Sequence, residues 1–469
     1  MFGDPVFLTD DDERLAHGRW RSRFLALVIV LGVLCAAFVG LTHFQGPKLT
    51  ETQVDTSAVV ERSGQQLRLF SNQAIAHVDA SQIQVRPAAA FTVQTSGDVV
   101  AVQFSERLRY GTDYEVTVDG VSSAYQAQGA TWSTGFSTAP ATLYRLVRGA
   151  NGADDRIESA SLKGSDRTTL YAAPRIQAFE MFDSAIAVVT DDGTQSTLSL
   201  VATGSAGADG TGAAVETLPL PGAGLVTKLG ADRATTTLAF SFEPTGSADA
   251  TLYRLPLQGE RKVTPIVSVS GQPITASDWF MVPGADELIV QALDETVSLI
   301  DLSGTQPATP LGTYSQLQGV GLDGTTFAAA TSLNAAIIDI ATGHETPRGP
   351  APVGGVLPYG GPLVPLTGKS VVQQVALPAA DYLSFRSLIV FDDGSTSRTL
   401  YEPPATGGLV EGFSVSPNGQ YVAVETAGQT ASSDFSYTID PVPTDVTTVI
   451  VDVASGSVVA SYAGIATSW

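Results

Sequence analysis

TVIVDVASG, residues 448–456, is a β-branched strand that stops on a glycine, and six stretches upstream repeat its form. They are LYRLVRG (143–149), STLSLVATG (196–204), LYRLPLQG (252–259), VSLIDLSG (297–304), AIIDIATG (336–343) and SLIVFDDG (387–394). The terminal glycines lie 55, 55, 45, 39, 51 and 62 residues apart. Before every copy but the first runs another apolar strand, at 185–190, 236–242, 287–292, 326–330, 371–375 and 420–425. Several strands per unit at this period predict a mainly β chain whose larger part, 141–469, is a β-propeller. A single four-stranded sheet cannot bury both its faces, so neighbours must stack around an axis. Seven copies predict seven blades, with six the alternative; sandwiches in series are the competing architecture. The first copy lacks strands before it, so residues 457–469 are expected to supply one beside Leu143–Val147.

The stretch GFSVSPNGQYVAVE, Gly412–Glu425, contains the tight turn Ser416-Pro417-Asn418-Gly419. Pro presets φ at its second position, Asn tolerates the third and Gly closes it. Val415 and Tyr421-Val422-Ala423-Val424 alternate on either side. This segment resembles the strand-turn-strand signature of propeller repeats in Tol-system periplasmic proteins and WD40-like exported proteins. Residues 321–324 and 282–285 are degraded echoes of it, and no unit carries the Trp-Asp pair of true WD40 repeats.

Residues 59–140 read differently. Short alternating strands at 65–70, 83–86, 99–104 and 114–118, with Gly111 and Gly120 between them, predict a β-sandwich. LRLFSNQAIAHVDASQIQVRPA, LRYGTDYEVTVDGV and the closing WSTGFST resemble the bacterial Ig-like domains of surface-layer proteins. That resemblance implies a packing role for Tyr110 or Tyr114 at a corner, and a spacer rather than a catalyst.

At the amino end, FLALVIVLGVLCAAFVGL (24–41) follows Arg19, Arg21 and Arg23. Extended to Phe44, 21 residues of helix would reach about 31 Å, enough for a bilayer core. The reading is a tail at 1–23, a single membrane-spanning helix at 24–44 bounded by Phe24, Leu25, Leu41 and Phe44, and a polar linker at 45–58. The three arginines set the amino end cytoplasmic and the later domains extracytoplasmic. Cys35 lies inside this helix, so the exported part has no disulfide.

Of 469 residues, 25 are Lys or Arg and 47 are Asp or Glu, a net charge of −22. So acidic a surface repels phosphate backbones and excludes nucleic acid as a partner. Catalytic sets are missing. Outside 1–44 only His77 and His344 could serve a nucleophile, and no G-x-S-x-G elbow occurs. The numbers of Cys and His do not suffice for a zinc site. Asp191-Asp192-Gly193, Asp392-Asp393-Gly394 and Asp154-Asp155 read as hairpin turns, with calcium the alternative. Trp279-Phe280 is a candidate sugar platform, against a reading as half core and half surface.

The expectation is therefore a non-catalytic binding or scaffold protein of the cell membrane, with no cofactor and no metal. It holds membrane lipid through one helix and a protein or cell-envelope ligand through the propeller. One alternative is an envelope glycan hydrolase or lyase using paired Asp/Glu in the propeller funnel; another is a transmembrane sensor.

Overall fold

The computed structural model describes residues 20, 23–35 and 46–469, less 126–127, 151, 163–166, 206–212, 234, 269, 333, 380–383, 405–407, 429–430, 440, 442 and 444. Residues 23–35 are helical and their side chains, Phe24 and Leu25 among them, are exposed. Among the described residues no helix is long and apolar enough to cross a membrane. The expected spanning helix, and the cell-membrane location built on it, are corrected accordingly. Arg23 lies in this helix; Arg19, Arg21, Leu41 and Phe44 lie outside the described residues.

The rest divides into two compact units. The smaller comprises residues up to 59, then 63–106 and 113–137. It holds a four-stranded sheet, ordered Leu49–Gln53, Gln66–Ser71, Val99–Phe104, Phe91–Ser96, and a three-stranded one of Ile83–Arg86, Asp113–Ser122 and Gly129–Ser137. Alternation puts Leu67, Leu69, Val100, Val102, Val116 and Val118 on buried faces. Phe104 and Phe136, ring centroids 6.2 Å apart, join the two sheets, and Tyr114 stacks on Phe136.

The larger unit, Thr138–Trp469 with the short segments Val60–Arg62 and Arg107–Thr112, is a β-propeller. Among the described residues it contains seven four-stranded antiparallel sheets. Six of them run through the chain in order, from innermost strand to outermost. Their innermost strands are Ile176–Met181, Gly224–Asp232, Ala276–Met281, Gln316–Val320, Tyr359–Pro365 and Leu409–Val415. The first sheet instead takes its innermost strand from the far end of the chain. Ile465–Ser468 pairs with Thr142–Val147, Ile465 opposite Leu146 and Ser468 opposite Tyr144. The expected closing strand is thus present. One detail departs from the repeat: LYRLVRG is the second strand of its sheet, whereas the other six copies are third strands.

Apolar side chains cover each sheet with the next. Leu146 and Ile157 of the first sheet meet Ile176 and Val188 of the second. Val189 and Leu198 then meet Val226 and Leu238. Ala239 and Leu252 pack on Trp279 and Leu288, and Ile289 and Val297 on Phe327 and Ile338. Ala328 touches Leu363 and Val371, and Val372 and Ile389 pack on Val422 and Val424. Ala423 and Ile450 return to Leu143 and Ala160 of the first sheet. Each such fully buried Leu, Ile or Val is worth about 1.5–3 kcal/mol, and this cycle is what holds the unit together.

The repeated glycine has a local cause. In three copies an Asp ends the third strand and accepts the amide of a following Ser or Thr: Asp301 from Ser303, Asp339 from Thr342 and Asp452 from Ser455, each at 2.8 Å. The chain then reverses through Gly304, Gly343 and Gly456 at φ of 73°, 67° and 70°, where a Cβ is strained. Gly319 is constrained differently. Its Cβ would collide with the Leu363 carbonyl oxygen of the neighbouring innermost strand. Gly343→Ala is therefore expected to cost about 1 kcal/mol, having open space around it, while Gly319→Ala costs about 1–3 kcal/mol by overpacking. Urea unfolding midpoints of the two variants compare them directly; equal losses would refute the close approach at Gly319.

Candidate functional site at the propeller axis

Every innermost strand carries one residue more than its partner strand at an equivalent point. The extra residues are Gln177, Thr227, Ser277, Gln318 and Glu411, one of Gly361 and Pro362, and one of Ala466 and Thr467. Such bulges re-aim side chains and free backbone groups from the ladder. Seven of them, one in each innermost strand, gather polar residues around the axis.

Freed or unpaired backbone groups need partners, and buried polar side chains of second strands supply several. Gln373 Nε2 donates to the Gly361 carbonyl at 3.2 Å, and Gln374 Nε2 to that of Val410. Gln291 Nε2 donates to the Tyr314 carbonyl, and Glu425 accepts the Thr467 amide. Arg145, almost wholly buried, bonds the Ala463 carbonyl and Glu158. These residues hold the architecture rather than perform chemistry.

The innermost strands also carry charge. Lys228 and Asp278 sit one residue past the bulges of adjacent strands, and Lys228 Nζ donates to Asp278 Oδ1 at 2.5 Å and to the Trp279 carbonyl at 2.7 Å. The ammonium lies 5.1 Å from the Trp279 ring and 4.7 Å from that of Phe280, a cation–π arrangement. Trp279 is 2% exposed, its indole N–H bonded to Ser241 and its ring packed where a Cβ on Gly230 would be 2.9 Å away. It is therefore a core residue between two sheets and not a sugar platform.

Glu180, on the innermost strand of the second sheet, has no hydrogen-bond or ion-pair partner among the described residues. Burial pushes its carboxyl up to about 7, with the Arg233 guanidinium opposing the rise. Arg233 is itself held, its two terminal nitrogens donating to the Trp469 main-chain oxygen at 2.6 Å and to Ser468 Oγ at 2.8 Å. A carboxyl poised near neutrality without a partner is suited to give and take a proton. At the other ends of these strands the segment 434–439 is tied down: Tyr437 Oη donates to Asp155, Gln177 Oε1 accepts the Thr438 amide, and Arg175 bonds the Ser436 carbonyl.

The residues singled out by sequence fall elsewhere. Ser416-Pro417-Asn418-Gly419 forms its turn, with the Gly419 amide on the Ser416 carbonyl at 2.8 Å. Asn418 Nδ2 also donates to the Leu108 carbonyl and Gln420 accepts the Tyr110 amide, so the motif clasps the 107–112 segment. Asp192 and Asp393 cap their own turns, Asp192 being drawn down to about 2 by bonds from Thr194 and Gln195. Asp191 and Asp392 bind Arg175 and Arg348. Among the described residues no group of three or more His, Cys, Asp or Glu is arranged to hold a metal. In the smaller unit His77 is 3.4 Å from Asp79, and in the larger His344 lies in the Asp339 turn. Glu180 escaped sequence reasoning because it stands in a strand, IQAFEM, that has no motif; the one signal was its being the sole charged residue of that strand.

No protein-family model matches the chain, and no curated protein sequence matches it. Among solved structures it is similar to the periplasmic gluconolactonase of Pseudomonas aeruginosa: 12% identity over 70% of this chain and 98% of that one, TM-score 0.42. An oligogalacturonate lyase in complex with manganese is similar at 14% identity over 68% and 95% of the two chains, TM-score 0.42. The WD40 domain of Toxoplasma gondii coronin is similar at 12% over 61% and 70%, TM-score 0.39. The expected non-catalytic scaffold role is corrected only so far as enzymes stand among the similar structures. Because Glu180 titrates near 7 in the folded chain against about 4.5 when unfolded, the native state binds the extra proton between those values. Stability from this group is therefore fully present below pH 4.5 and lost as pH rises to 7. Glu180→Gln is expected to leave stability unchanged at pH 4.5 and to raise it above pH 7 by up to roughly 3 kcal/mol; a pH-independent difference in urea unfolding would refute the shift.

Proposed function

We propose that the protein is an enzyme that cleaves a glycan at the propeller axis, with Glu180 as its general acid. The observation that carries this reading is the partnerless Glu180 carboxyl, raised to about 7. Protonated Glu180 gives its proton to the glycosidic oxygen as the bond to the sugar carbon breaks, and then serves as a base. Asp278, held by Lys228, is the second carboxylate, activating water or attacking the sugar carbon. In the same reading the seven sheets are the blades of one propeller, and the smaller unit is an Ig-like module.

Incubation with a neutral hexose tetrasaccharide and a uronate tetrasaccharide is expected to release reducing ends from one of them. Formation of an ultraviolet-absorbing unsaturated uronate would assign elimination rather than hydrolysis. Glu180→Gln should lower kcat by about 10²–10⁴-fold with little change in KM. Full turnover by that variant, or no cleavage of either probe, would overturn the proposal.

A further inference from the structure

The strand that bears Glu180 is flanked by two others. Apolar contacts place the second sheet between the first and the third, so Ile176–Met181 runs between Ile465–Ser468 on one side and Gly224–Asp232 on the other. Glu180 is the last residue but one of its strand; Arg233 directly follows one flanking strand and Trp469 the other. From the third sheet the Arg233 guanidinium donates to Ser468 Oγ at 2.8 Å and to the Trp469 main-chain oxygen at 2.6 Å, at the end of the first sheet's innermost strand. A side chain that joins the first and third sheets crosses the end of the second, where Glu180 stands.

Arg145, Arg175 and Arg348 of the same unit each pair directly with an Asp or Glu side chain. The two bonds of Arg233 go instead to a hydroxyl and to the main chain. Such partners fix the planar fork and leave its charge to act on what surrounds it. Around it stand the Glu180 carboxyl, the Tyr144 phenol of the first sheet and the Tyr110 phenol of the 107–112 segment, each of which feels that charge. Glu61 acts on both phenols, and Arg107 and Tyr421 act on Tyr110. Burial raises both phenols above their ordinary range, so of the three groups Glu180 alone changes charge near neutrality. Among the described residues the one charged group that acts on Glu180 is Arg233.

Resting on the glycan-cleaving reading above, we propose that Arg233 is a positioning residue for the general acid, aimed at Glu180 by the strand that closes the propeller. When Glu180 gives its proton to the glycosidic oxygen, a carboxylate is left behind. The guanidinium keeps its own proton throughout and stabilises that negative charge. Because it is already tethered, it needs no rearrangement at the moment of transfer. The second sheet supplies the acid, the third the arginine and the first the oxygens that hold the arginine, so the site is complete only while the closing strand is docked.

The test follows the Glu180 carboxyl itself, by nuclear magnetic resonance on full-length protein isotope-labelled at glutamate carboxyls. Its signal is the one missing from Glu180→Gln, and turnover is not needed to read it. In Arg233→Met the midpoint of that signal is expected to rise by about one pH unit, the effect of losing one fixed charge in a partly sheltered site. Ser468→Ala, which removes one of two tethers, should raise it by less, and Arg233→Lys, which keeps the charge, should stay nearer the parent than Arg233→Met. For whichever tetrasaccharide is cleaved, the alkaline limb of kcat moves up with the midpoint while KM stays within about twofold. A residue that merely braced the fold would move neither. An unmoved midpoint in folded Arg233→Met overturns the proposal whether or not a glycan is cleaved. A raised midpoint in a protein that cleaves neither tetrasaccharide sinks the glycan-cleaving reading and leaves the hold of Arg233 on Glu180 standing. Should Arg233→Met not fold, Ser468→Ala decides, and a midpoint equal to the parent's overturns the proposal.

Discussion

The fold of the larger unit depends on one pairing, that of Ile465–Ser468 with Thr142–Val147. A β-sheet with two apolar faces is stable only when both are covered, and a row of such sheets always leaves two end faces bare. Bending the row until its last sheet meets its first removes both. Here the last strand is built into the first sheet, so the contact between Ala423, Ile450, Leu143 and Ala160 is fastened by hydrogen bonds as well as by burial. With the single cysteine lying at position 35, no disulfide assists, and opening this seam would expose the faces at the seventh and first sheets together.

That closure creates the axis, and the bulges give the axis its character. An unbroken inner strand would present a regular edge of backbone N–H and C=O groups with strict side-chain alternation. One extra residue in each innermost strand turns polar side chains and carbonyls toward the centre. The cost appears as buried glutamines and an arginine on the second strands, whose amides and guanidinium satisfy what the bulges release. Around this supported frame Lys228, Asp278 and Glu180 stand on the innermost strands themselves, and Arg233 directly follows one of them. Glu180 thus stands on a strand, partly sheltered from water, with the restrained Arg233 guanidinium acting on its carboxyl.

Much of the architecture was legible because it is written in local chemistry. The second and third strands carry continuous Val, Ile and Leu runs, and the Asp-to-Gly turn after the third strand recurs in LIDLSG, IIDIATG and IVDVASG. The closing strand could be anticipated because LYRLVRG had nothing before it. The innermost strands were not legible: ASDWFM, QLQGV and YGGPLVP share no pattern, since a bulge breaks their alternation and each faces a different neighbour. The site lies on those strands and was missed with them. The helix expected at 24–44 was read from apolar composition alone, and among the described residues no helix is long and apolar enough to cross a membrane.

The stack at the seam has a spectroscopic side. Trp469 lies face to face with Tyr421, centroids 6.1 Å apart, and Tyr421 stacks in turn on Tyr110. The indole sits directly after the strand that seals the cycle, and its N–H donates to Ser414. Excitation absorbed by Tyr421 therefore has the Trp469 indole stacked beside it only while that strand is docked. The protein carries its own optical gauge of an intact seam, a native emitter whose brightness follows the joint rather than the bulk of the chain.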